Sequence, residues 1–120
     1  MIYPVRILFD QGAPVPLRRF LPGHTIETAF ERNWGTLQNG DLLSAAESAG
    51  FDAIITTDQN LRYQQNLAGR RLAVLVLLTT DWRLIAQHTS YVAAAVAALT
   101  RAAYVELGFP PPPVTTGPHA

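Results

Sequence analysis

The chain contains no cysteine and no lysine. The first absence removes disulfides, thiolate nucleophiles and cysteine-ligated zinc or iron–sulfur centres. The second removes every active site built on a lysine amine. Nine arginines balance nine acidic residues for a formal net charge of zero, and only 15% of residues are charged. No overall field therefore draws the protein to nucleic acid or to an anionic membrane, and a polyanion would need a local basic patch. Long hydrophobic runs are lacking too: the stretch from Val92 to Leu99 is mostly alanine and far shorter than the roughly 20 residues that span a bilayer. The opening MIYPVRILFD carries an Arg, a Pro and an Asp, unlike the apolar core of a signal peptide. The expectation is a cytoplasmic protein without a membrane partner. His24, His88 and His119 fall without ligand spacing, which argues against a histidine metal site.

With 120 residues, 48% of them hydrophobic, the chain can form one packed core and is too short for two ordinary domains. The composition predicts a single domain over 1–108 and a disordered proline-rich tail over 109–120. Val5 to Phe9 is a buried strand ending at Asp10. Pro14 and Pro16 start a brief helix that places Leu17, Phe20 and Leu21 on one side and stops at Pro22-Gly23. Thr25 to Phe30 alternates with period two, as a strand near a sheet edge does. A loop then carries Trp34 as a core plug, and Asn39 caps a helix over Asp41 to Ala49 that Gly50 ends.

Phe51 to Thr57 is a third strand, delivering Asp58 at its end. The amide-rich segment Gln59 to Leu67 suits a short helix, and Leu72 to Leu78 is an unalternating apolar run, the mark of a strand covered on both faces. Asp81 with Thr79 and Thr80 starts a short helix, and Ser90 starts a longer one predicted to run to near Gly108. This order predicts an α/β three-layer sandwich, with a parallel sheet of about four strands and helices on both faces. Ligands of such sheets bind beyond the carboxyl ends of the strands, where Asp10 and Asp58 both fall.

Carboxylates packed together raise one another's proton affinity unless a cation neutralises them, and hard oxygen ligands suit Mg²⁺ or Mn²⁺. Asp10, Asp41 and Asp58 form such a candidate set, with phosphodiester hydrolysis by a metal-activated water as the chemistry. The plainer reading is that Asp ends strands and starts helices as a turn former or cap; for Asp41 alone, capping is favoured, and Asp81 suits a fourth acidic ligand and an N-cap equally. Gln59 and Asn60 carry amides able to contact bases or ribose hydroxyls, and Arg62 lies close by in sequence. Arg18-Arg19 and Arg70-Arg71 suit phosphates, although solvated faces explain such pairs more often.

The segments ILFDQGAP, NGDLLSAAESAGFDAIITTDQNL and RRLAVLVLL, spread over residues 5 to 100, resemble the compact PIN-like domains related to VapC-type toxins. The resemblance implies catalytic and metal-binding roles for Asp10, Asp41 and Asp58, with Thr56 or Thr57 orienting the metal shell. It further implies an Mg²⁺- or Mn²⁺-dependent ribonuclease acting on RNA, often the toxin of a toxin–antitoxin pair, hence an antitoxin protein as partner. A homodimer is compatible with it. Gln11, Thr57, Gln59, Asn60 and Arg62 are the expected substrate contacts. Gln11 stands where compact members usually carry Glu, which removes one negative charge from the site. The alternative is a catalytically inactive PIN-like module that binds a protein or nucleic acid. A phosphoacceptor receiver domain is excluded by the absence of lysine, and a phosphatase with an aspartyl nucleophile would need Asp where Gly12 stands.

Overall fold

The computed structural model describes residues 5–61 and 67–110. Five strands, β1 (Arg6–Phe9), β2 (Thr25–Thr28), β3 (Ala53–Thr56), β4 (Ala73–Leu77) and β5 (Tyr104–Leu107), form one sheet in the order β2-β1-β3-β4-β5, and every pairing is parallel. Parallel neighbours require crossovers. Among the described residues these run through a 3₁₀ helix (Val15–Phe20) from β1 to β2, α1 (Asn39–Ser48) from β2 to β3, and the pair α2 (Trp82–Ala86) and α3 (Thr89–Ala98) from β4 to β5.

Side-chain alternation divides the core. Ile7, Phe9, Ile55, Leu75 and Leu77 pack with Leu17 of the 3₁₀ helix, Ile85 of α2 and Val92 and Val96 of α3. Leu8, Ile54, Val74 and Val76 pack with Leu42, Leu43 and Ala46 of α1. All five residues of β4 are buried, which explains its unbroken apolar sequence: both of its faces are covered. Trp34 is half-buried against the second cluster and meets Phe51 edge-on at 6.2 Å, the plug position expected of it.

The sheet has five strands where the sequence predicts about four. The predicted last helix ends at Ala98 instead of continuing to Gly108, since Leu99 turns extended, Ala102 takes a positive φ of 64°, and Tyr104–Leu107 pairs with β4. A Tyr-Val-Glu-Leu segment has strand-forming residues, and the edge of β4 supplies its partner. The helix expected from Asp41 begins two residues earlier at Asn39, with Gln38 as N-cap and no side-chain cap bond. The amide-rich helix predicted over 59–67 and the tail predicted over 109–120 lie largely outside the described residues; Phe109, assigned to that tail, packs edge-on against Tyr91 at 6.1 Å. Among the described residues no helix is long and apolar enough to cross a membrane.

The chain runs from β1 outward to β2, then returns to the other side of β1 as β3. The sheet's direction of growth thus reverses between β1 and β3, and ligands of open parallel sheets bind outside the strand ends at this kind of switch point.

Candidate functional site

Asp10 follows β1 and Asp58 follows β3 by two residues. Because Phe9 is in register with Ile55 and the Asp10 amide donates to the Ile55 carbonyl at 3.1 Å, both side chains emerge at the same rim of the sheet. Thr56 joins them. Its buried hydroxyl donates to Asp10 Oδ2 and accepts the Asp58 amide at 3.0 Å. Of the two adjacent threonines that the sequence offers, Thr56 is the one whose hydroxyl bonds Asp10 and the Asp58 amide.

Three donors fix Asp10: Thr56 on Oδ2, and the amides of Gly12 at 2.9 Å and Ala13 at 3.1 Å on Oδ1. Burial nevertheless raises its pKa above the ordinary value, with the nearby charge of Asp58 adding to the rise and the three hydrogen bonds opposing it. Asp58 is held by the amide of Asn60 at 3.0 Å on Oδ1 and by Asn39 Nδ2 at 2.7 Å on Oδ2. Asn39, the first residue of α1, therefore ties that helix to the rim. The sequence pointed to Asn39 only as a helix cap; the adjacent NGD segment was the available signal, and its pairing with Asp58 depends on tertiary structure.

Gly12 matters for close approach. A Cβ there would collide with the Thr57 hydroxyl and lie 3.6 Å from Asp10 Oδ1, so a side chain in the turn after β1 would force Thr57 to rotate away. The Gln11 side chain is bonded to backbone: its Nε2 donates to the Gly35 carbonyl at 2.8 Å and the Trp34 carbonyl at 3.4 Å. A Glu would present an acceptor to two acceptors, which accounts physically for the amide at this position.

The other predicted residues separate. Asp41 is exposed in the first turn of α1. Among the described residues, no group of three or more Asp, Glu, His or Cys is arranged to hold a metal ion; the rim carries Asp10 and Asp58 as a pair. Gln59 and the Asn60 side chain are exposed beside Asp58, and Arg62 lies outside the described residues. Asp81 caps α2 through the Arg83 amide at 3.0 Å. Arg18 is paired with Glu31 at 2.6 Å and Arg70 with Glu47 at 2.7 Å, so neither guanidinium is a simple solvated charge. Comparisons with family models, with curated proteins and with solved structures return no match to this chain.

Proposed function

We propose that the chain is a metal-dependent endoribonuclease on a PIN-like three-layer α/β scaffold, of the kind that serves as the toxin of a toxin–antitoxin pair. The observation that carries this reading is the coupling of Asp10 and Asp58 through Thr56 at the β1–β3 switch point. Mg²⁺ typically takes one or two carboxylates, keeps several waters and uses substrate phosphate for the rest, so a two-carboxylate rim fits it. A carboxylate offers about four lone-pair sites; Asp10 uses three and Asp58 two on protein donors, leaving acceptor capacity on both. The resemblance of the three sequence segments to compact PIN-like domains points the same way.

In this reading Asp10 and Asp58 hold the ion, with Asp41 close by in sequence to Asn39 as an outer carboxylate. Bound there, Mg²⁺ or Mn²⁺ would supply a more acidic water and neutralise charge developing on the phosphate. Thr56 and the Gly12 and Ala13 amides orient Asp10, Asn39 orients Asp58, and the exposed Gln59 and Asn60 offer amides to the RNA strand.

With Mn²⁺ present, the wild type should cleave single-stranded RNA. Asp10→Asn and Asp58→Asn should each be slower by about 100-fold or more, since even outer-shell partners of a bound metal are worth about 10–100-fold. Equal rates in all three proteins reject the proposal. The absence of a third carboxylate at the rim among the described residues favours a second reading, a binding module of the same scaffold, which would bind RNA or protein without metal-dependent turnover.

A further inference from the structure

A cavity of about 370 Å³ opens beside Asp10, lined by Asp10, Gln11, Val15, Thr28, Phe30 and Glu31 among others. Its size lies within the roughly 300–1,000 Å³ usual for small-ligand sites. Phe30 is 84% exposed and Val15 54%, and burial of neither is needed for the core. The Phe30 ring therefore offers an open aromatic face at the mouth of the cavity that Asp10 also lines.

We propose that this cavity receives an unpaired nucleobase of a single-stranded nucleic acid, its face stacked on the Phe30 ring and its edge toward Glu31 and Thr28. The proposal rests on the nuclease reading for the identity of the strand, but the cavity's own chemistry selects the ligand. A base has two apolar faces and a polar edge, and the lining has the same division. Glu31 is fixed as an acceptor: Arg18 donates to both oxygens, at 2.6 and 3.3 Å, and the Thr28 amide donates at 2.9 Å. Three donors leave this carboxylate room for one more, such as a base amine or imino group. A second cavity shares Val15 and is lined by Arg18 and Arg19; Arg18 is taken up by Glu31, so the exposed Arg19 is the cation that this neighbouring cavity adds. Stacking platforms flanked by positive charge are how proteins hold single strands without reading their sequence. Continuity with Asp10 makes a substrate strand the occupant the observations favour over a protein.

The test is fluorescence anisotropy of the full chain with labelled single-stranded hexamers in EDTA, where no turnover occurs, using matched RNA and DNA. For whichever strand the wild type binds, Phe30→Ala and Phe30→Leu should raise Kd by about tenfold, the scale of one base–aromatic stack, while Phe30→Tyr stays within about twofold. A preference for RNA or DNA identifies the strand. Wild-type affinity in Phe30→Ala overturns the proposal, as does rescue by Phe30→Leu, which would mean plain apolar contact. Failure of the wild type to bind either hexamer overturns it as well, and so does loss of a protein complex in Phe30→Ala with hexamer affinity intact. The two readings part cleanly. Mn²⁺-dependent cleavage with an inert Phe30 keeps the nuclease and removes the subsite, whereas Phe30-dependent binding without cleavage keeps the subsite and removes the nuclease.

Discussion

Asp10 has three hydrogen-bond donors and still titrates above its ordinary value of 3.8, because burial outweighs them and Asp58 adds like charge. In the metal-free protein the folded state therefore binds this proton more tightly than the unfolded chain. Stability associated with Asp10 is highest below the unfolded value and falls as pH rises through the folded one. Asp10→Asn keeps the oxygen that accepts the Gly12 and Ala13 amides and loses the buried charge, while its amide NH2 faces Thr56, whose hydroxyl must then turn to accept instead of donate; it should be more stable than wild type near neutral pH, with the advantage shrinking toward pH 3.8. Urea midpoints at several pH values check this; a constant difference across them would refute it. Glu31 moves the opposite way: Arg18 and the Thr28 amide lower its pKa, so what it contributes is present above the ordinary carboxylate range and lost on acidification. Which threonine serves the rim was not legible in the sequence, because TTD offers two adjacent hydroxyls and only the register of β3 against β1 chooses Thr56. Asp10 and Asp58 were legible, because a strand's end is marked by the polar residue after an apolar run.

Elements ending in a marked residue were the most readable. Gly50 follows α1 with φ at 85°, a left-handed C-terminal position that glycine fills without strain. Arg6 closes over it, donating to the Ala49 carbonyl at 2.6 Å and lying 4.5 Å from the Phe51 ring centroid. A Cβ at Gly50 would lie 3.0 Å from Arg6 Nη1. Gly50→Ala should therefore cost about 1–2 kcal/mol from backbone conformation, with further cost if Arg6 is displaced, measured as a lower urea midpoint at unchanged slope. β4 was readable from its uniform apolar run. β5 was not, since an alanine-rich helix leads toward it without Gly or Pro as a breaker, and the positive φ at Ala102 has no distinctive residue to announce it.

At the scale of the whole molecule, a cation that binds only the folded rim must stabilise the fold by mass action. At about 100 times its Kd the gain is about 2.7 kcal/mol, a rise in melting temperature on the order of 10 °C for a domain of this size. Mn²⁺ should produce that rise in wild type and little or none in Asp10→Asn or Asp58→Asn; identical shifts in all three would place the ion elsewhere. The parallel α/β class was legible from strands alternating with helical segments. The meeting of Asp10 with Asp58 depended on the strand order, which composition and periodicity leave open.

That order also governs how the molecule comes into being. β1 is synthesised first and sits between β2 and β3, so both of its hydrogen-bonding edges await partners made later, the second complete only when Thr56 has left the ribosome. Until then Ile7, Leu8 and Phe9, fully covered in the finished sheet, belong to a nascent strand still open along its β3 edge after β2 has been made, the kind of segment that aggregates or recruits chaperones. A fragment released before β3 would thus carry an apolar strand without the neighbour that covers its second edge.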